Sequence, residues 1–337
     1  MPGLALALCC CRAPIATAQD EPLNQVHVQP PPPAAKDAAK DAPAQPAPVE
    51  GPKALRARPG ERIRVDVNLV LVPVTVTDPL NRLVTGLDKE NFFLYENNLQ
   101  EKIKTFSCED APVSIGVIFD LSGSMSNKII RARDSITQFL KTANPQDEFF
   151  VVGFNDRPEL IEDFTSSVDD IDARLATVQA GHRTALLDAI YFGLFKMKQA
   201  QYQRKAILIV SDGGDNRSRY TENEVRSVVR ESDVQIYSIG VFDSMAATEE
   251  ERQGPMLLND ISAETGGRMF QVDDVADMAD IATKISAELR NQYVLGYRPD
   301  SPKRDGKWRK LKVKLVPPPG LPPLTVHARN GYYAPLQ

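Results

Sequence analysis

Apolar and polar residues alternate at the start of the patterned part of the chain. Ile63, Val65, Val67, Leu69 and Leu71 share one parity, the period of a strand with one buried face. Val72, Val74 and Val76 continue on the other parity, and the slip at Pro73 predicts a bulge or an edge strand. Asp78 to Arg82 ("DPLNR") reads as a turn, and "NFFLYENNLQEKIKTF" as a hairpin that turns at Asn97-Asn98. Residues 60–112 are therefore an all-β segment, too short to close a sandwich alone.

The pattern then changes. Strands are expected over 114–120, 148–154, 205–211, 234–241 and 268–272. Helices are expected over 126–142, 168–179, 184–199, 221–232, 255–265 and 275–291. The last carries Val275, Met278, Ile281, Ile285 and Leu289 on one face. "SIGVIF" and "AILIV" are continuous apolar runs, as strands buried on both faces require. Strand–helix alternation of this kind implies an α/β fold with a doubly wound, mostly parallel sheet flanked by helices. After residue 292 the chain returns to β pattern in "QYVLGYRPD", "KWRKLKVKLVPP" and "LTVHARNGYY". Half a sandwich leaves an apolar face unburied. The simplest solution joins 60–112 to 293–337 as one small β-sandwich, with the α/β part (113–292) inserted in it.

The N-terminal stretch has no such pattern. Residues 20–59 are rich in Pro, Ala, Lys and Asp, the composition of an extended, partly polyproline II linker. Before it, Leu4 to Cys11 is apolar and Ala16-Thr17-Ala18 is an A-x-A-like cleavage site, so residues 1–19 read as a secretory signal. Its basic n-region is missing, and the signal is read as starting upstream of Met1. The expectation is an exported protein of the periplasm, cell surface or extracellular space. No other run approaches the roughly 18 apolar residues of a membrane span. Of the four cysteines, Cys9, Cys10 and Cys11 fall in the leader. Cys108 would then stand alone in the mature chain, without an intramolecular disulfide, and is expected to be a buried apolar residue.

Net charge is −5, which argues against a nucleic-acid binder. No P-loop, G-x-G-x-x-G or H-E-x-x-H motif occurs, so nothing marks a nucleotide, dinucleotide or zinc enzyme. What stands out is a set of oxygens at strand ends. "GVIFDLSGSM" places Asp120, Ser122 and Ser124 just beyond a buried run, "ILIVSDGGDN" places Asp212 beyond another, and "GHRTALLDAI" opens a helix with Thr184. In open α/β sheets, ligands bind outside the carboxyl ends of the strands. Without thiolates or an imidazole cluster, the set suits a hard cation: Mg²⁺, with Mn²⁺ or Ca²⁺ as substitutes. D-x-S-x-S lets alternate side chains converge, and Gly123 permits the tight path. Read alone, Asp120 could be a helix N-terminal anion. Asp188 reads as a hydrogen-bond acceptor behind Thr184, and Asp215 and Asn216 as turn residues.

"DLSGSM", "RTALLDAI" and "LIVSDGGDN", in this order, resemble the metal-ion-dependent adhesion site of von Willebrand factor type A domains. "ETGGRMF" is similar to the stretch before that family's last strand, and the flanking "TGLDKENFFLYENN" and "QYVLGYRPDSPKRDGKWRKLKVKL" look like a bacterial exported group related to it. The resemblance implies a Rossmann-like sheet and a metal site at Asp120, Ser122, Ser124, Thr184 and Asp212. It implies a non-enzymatic, adhesion-type module in which Mg²⁺ bridges these residues to a Glu or Asp of a protein partner. It also implies that the last helix, 275–291, can shift with metal ligation. The sequence departs from the family at "GHRT", where His182 and Arg183 could crowd or charge the rim, and Arg183 could steer an acidic partner. The alternatives are an assembly or chaperone subunit working with an AAA+ ATPase, and a serine hydrolase with Ser124 as nucleophile and His182 as base. The second lacks a G-x-S-x-G elbow.

Overall fold

Val72, Val74 and Val76 lie on one face of a single strand and are fully buried, so the β part has its core where the alternation placed it. The computed structural model describes residues 69–242, 248–300 and 303–336. The leader, the linker and the alternation at Ile63, Val65 and Val67 lie outside the described residues.

The chain opens with β1 (Val70–Thr77), β2 (Phe92–Glu96), β3 (Leu99–Glu101) and β4 (Ile103–Ser107). The α/β part follows: β5 (Val113–Asp120), α1 (Ile129–Thr142), β6 (Glu148–Phe154), β7 (Pro158–Thr165), α2 (Val168–Leu175), α3 (Leu186–Lys196) and β8 (Arg204–Ser211). It continues with α4 (Glu222–Glu231), β9 (Gln235–Gly240), α5 (Glu249–Thr265), β10 (Met269–Gln271) and α6 (Met278–Arg290). The chain ends with β11 (Tyr293–Tyr297), β12 (Trp308–Leu315), β13 (Thr325–Ala328) and β14 (Gly331–Tyr333).

The two terminal β segments interleave. One antiparallel sheet runs β13-β1-β11-β4 and another β14-β12-β2-β3. Each mixes strands from both sides of the α/β part. Val74 and Leu295 from the first sheet and Leu94 and Leu311 from the second share one apolar core. The β2–β3 turn falls at Asn97 and Asn98, with φ of 48° and 69°. That is the left-handed pair a tight hairpin needs, and Asn tolerates it better than most residues. The expected bulge at Pro73 is absent: β1 keeps its register with β11 from Val70 to Val74. Pairing with β13 begins only at Val74, so Pro73 has an open strand side where its missing N–H costs no bond. The slip was one of composition, since Leu71 is an exposed apolar residue.

Between these segments lies a six-stranded sheet, β10-β9-β8-β5-β6-β7, parallel except at β7. Alternate residues of β5 feed two helical layers. Ile115, Val117 and Phe119 pack toward α1 and α6, and Ile118 packs toward α3 and α5. This is the expected α/β fold with parallel strands covered on both faces. Several ends differ from expectation. Residues 123–125 and 197–199 are single 3₁₀ turns. α2 stops at Leu175, and α5 begins at Glu249 with Pro255 inside it. β7 was not foreseen. Cys108 is exposed rather than buried, because it sits past the end of β4 where the chain crosses toward β5.

α6 runs almost directly into β11, and polar contacts cross the junction. Gln292 Nε2 donates to Thr75 Oγ1 and to Tyr237 Oη, each at 3.2 Å. Arg268 bonds Glu288 Oε1 at 2.5 Å and Asn81 Oδ1 at 3.0 Å. Among the described residues, no helix is long and apolar enough to cross a membrane.

Candidate functional site

The strand order reverses at β5: one connection leads to β6 on one side, and the next strands, β8, β9 and β10, lie on the other. A crevice opens at such a switch point, beyond the carboxyl ends of the two strands that flank it. Asp120 ends β5 and Asp212 follows β8, so the two candidate carboxylates stand on either side of it.

Asp120 is fully buried and both of its oxygens are engaged. Oδ1 accepts the Ser122 N–H at 2.8 Å, and Oδ2 accepts the Ser211 hydroxyl at 2.5 Å. The first bond turns the chain sharply at the strand end. That turn brings Ser122 and Ser124 onto one side, with their hydroxyls 3.1 Å apart. Burial, and next the charge of Asp212, push the Asp120 carboxyl up to about 7, against the hydrogen bonds from Ser122 and Ser211. The two aspartates are therefore close enough to repel. Among the described residues, Asp212 Oδ1 accepts the Gly214 N–H alone, at 3.3 Å.

Thr184 reaches the same rim through backbone contacts. Gly181 N donates to Leu121 O at 2.8 Å, and Gly123 N to His182 O at 3.1 Å, so the 181–182 segment is zipped to the Asp120 loop. His182 adopts φ 73°, a left-handed conformation that aims its carbonyl at Gly123. Thr184 N donates to Asn216 Oδ1 at 3.2 Å, and Asn216 N returns a bond to Thr184 O at 3.0 Å. Asp215 Oδ2 accepts the Leu187 N–H at 2.8 Å and so caps the start of α3. Thr184 is 5% exposed and Ser122 1%. The five expected residues thus lie on three loops that are bonded to one another.

Some neighbours do other work than the sequence suggested. Asp188 accepts hydrogen bonds, but from the Arg219 and Tyr220 N–H groups, at 2.8 and 3.1 Å. Asp215 and Asn216 are clamps on Thr184 and α3 as well as turn residues. Sequence reasoning missed Ser211, whose hydroxyl bonds Asp120 and accepts Gly213 N–H at 2.9 Å. Its only signal was its place one residue before Asp212. Lys128 was also missed; it is buried and donates from Nζ to Val241 O at 3.0 Å.

The donor set is two carboxylates and three hydroxyls. Among the described residues no group of three or more His, Cys, Asp and Glu side chains forms a metal cluster. A set so poor in charge and free of nitrogen and sulfur fits a hard divalent cation that keeps some of its waters, and fits a soft metal badly. Ser124 and His182 are not paired as nucleophile and base. The Ser124 hydroxyl meets Ser122, and the His182 ring turns outward to Asp156 at 3.6 Å.

Residues 115–214 match the family model of the von Willebrand factor type A domain. The stretch from β5 to the Asp212 loop therefore carries the likeness to a type A domain. An uncharacterized protein from Borreliella burgdorferi is 23% identical over 188 residues, 49% of this chain and 55% of that protein. The chain thus matches little more than half the length of this relative. Among solved structures, a von Willebrand factor type A protein from Catenulispora acidiphila aligns over 80% of this chain and 74% of its own, with 12% identity and a TM-score of 0.47. BatB from Bacteroides thetaiotaomicron aligns over 52% of this chain and 98% of its own, with 16% identity and a TM-score of 0.42. Type A domains are in general protein-interaction modules and typically not enzymes.

Proposed function

We propose that this chain is a metal-dependent protein-binding module. Asp120, Ser122, Ser124, Thr184 and Asp212 hold a divalent cation, Mg²⁺ first and Mn²⁺ or Ca²⁺ as substitutes. A Glu or Asp of a protein partner completes the ion's shell. The observation that carries this reading is the buried Asp120, held by the Ser211 hydroxyl and the Ser122 N–H and facing the charge of Asp212, at the switch point of the sheet. A cation there would relieve the repulsion and supply a Lewis-acidic position for a carboxylate. The protein's own part is preorganisation. Ser211 and the Ser122 N–H fix Asp120, and the Asn216 clamp fixes Thr184. Neutral hydroxyl ligands leave the ion's charge to be met by the partner.

The module is proposed to act in the cell envelope or outside it. That part rests on the apolar Leu4–Cys11 stretch, the Ala16-Thr17-Ala18 site and the Pro-rich spacer.

The test is calorimetric titration of Mg²⁺ and Mn²⁺ into the chelator-treated chain. Asp120→Ala and Asp212→Ala are each expected to abolish binding while the circular dichroism spectrum stays unchanged. A folded variant that binds either ion with wild-type affinity would overturn the assignment.

A further inference from the structure

The two loops that hold Thr184 also carry Arg183, Arg217 and Arg219, all three exposed. Their backbone positions are fixed. The paired bonds between Thr184 and Asn216 place Arg183 and Arg217 on either side of one short contact. Arg219 N is held by Asp188 Oδ1 at 2.8 Å. Yet among the described residues, none of the three guanidinium groups has an ion pair or a hydrogen bond. Elsewhere in the molecule, Arg157, Arg226 and Arg268 are each matched to a carboxylate. The acids of these loops are engaged elsewhere. Asp156 accepts the Arg183 N–H at 3.2 Å, Asp215 accepts those of Leu187 and Ser218, and Asp188 those of Arg219 and Tyr220. Asp156 also meets the His182 ring at 3.6 Å, and Asp215 also accepts the Ser218 hydroxyl at 2.6 Å. These carboxylates order the loops, and the guanidinium groups are left to solvent beside Thr184.

We infer that Arg183, Arg217 and Arg219 form a recognition rim for an acidic protein segment, one in which the metal-seeking carboxylate is flanked by further Asp or Glu. The inference rests on the metal-dependent reading of the neighbouring site. Guanidinium forks match carboxylates in geometry, and exposed ones need no partner broken before they bind. With a net charge of −5, the chain as a whole repels an acidic segment. Three exposed guanidinium groups near the point of entry, whose neighbouring acids are held by loop hydrogen bonds, offset that and steer approach. Rim charges of this kind act on association rate, salt dependence and choice of partner more than on the final contact.

The experiment uses the full chain and two labelled peptides of equal length, one with a run of glutamates and one with a single glutamate in a Gly/Ser background. Fluorescence anisotropy is recorded with Mg²⁺ at about 0.05 and about 0.2 M salt, where screening changes most for exposed charges. The wild type is expected to prefer the glutamate run. The R183Q/R217Q/R219Q variant should lose roughly tenfold for that peptide, flatten its salt response, and keep wild-type Mg²⁺ binding and melting temperature. A triple variant that binds the run as tightly as the wild type overturns the rim, as does a wild type with no preference. Asp120→Ala separates the two readings. If it loses both peptides while the triple variant keeps the preference, the rim fails and the metal stands. If it keeps the run while the triple variant loses it, the metal fails and the rim stands.

Discussion

At the scale of single residues, the site depends on close approach as much as on ligands. Gly213 has φ 80°, and its backbone lies against Gly254 of α5. A Cβ on Gly254 would meet Asp212 O at 2.7 Å and Gly213 C at 2.8 Å, both backbone atoms that cannot swing aside. Gly254→Ala must therefore move the strand end that carries Asp212, or move α5. We expect a loss of about 1–3 kcal/mol in stability and a weaker Mg²⁺ titration, while Gly320→Ala, at an open turn, leaves the ion binding unchanged. Unaltered calorimetric affinity in a folded Gly254→Ala would show that Asp212 is not held through this contact. Neither Gly254 nor Ser211 stood out in the sequence. Asp120 and Asp212 were legible because a carboxylate ending an apolar run is chemically anomalous. Ser211 becomes meaningful only when the β5–β8 pairing sets it beside Asp120, and Gly254 only when α5 lies against the Asp212 loop.

At the scale of elements, most of what was legible came from burial on both faces. β5, β6, β8 and β9 are apolar runs and sit where the runs predicted. β7 escaped because it is an edge strand: "PELIEDFT" has no fully buried residue, and its register with β6 is interrupted. An element held by pairing on one side alone leaves little apolar trace. α6 is tied by a different device. Glu288 is fully buried, faces Arg268 at 2.5 Å, and has a second oxygen, Oε2, without a hydrogen-bond partner. Burial pushes its carboxyl up, and Arg268 and Lys284 pull it down. A buried pair of this kind is costly to break from one side and cheap to replace whole. Arg268→Met should lose about 3 kcal/mol in chemical denaturation, and the double variant Arg268→Met/Glu288→Leu should recover most of it. A single variant as stable as the wild type would mean that the pair does not anchor α6.

At the scale of the whole molecule, the described residues all belong to one compact unit, Arg64–Gln337, in which the β-sandwich and the α/β part share polar contacts. His327 reports on that junction. It lies on β13, its Nε2 is 3.2 Å from Thr77 Oγ1, and burial, then the nearby Arg268, push its imidazole down to about 4. The sign follows from proton counting. Between about 6.5 and about 4 the unfolded chain holds a proton on this ring and the folded chain does not, so stability falls as pH falls through that window and is untouched above it. The ring is only partly buried, which limits the effect to about 1–2 kcal/mol. Asp120 and Glu288 shift the other way, so their contribution to stability weakens as pH rises and the slopes must be separated. His327→Gln keeps a polar partner for Thr77 without a titrating proton. The difference in unfolding free energy between wild type and His327→Gln, followed by urea denaturation at fixed Mg²⁺, should change by that amount below about 6.5 and level off near 4. A difference that does not vary with pH would mean the ring is solvated in the native state. The junction would then be looser than the bonds from Gln292 and Arg268 imply.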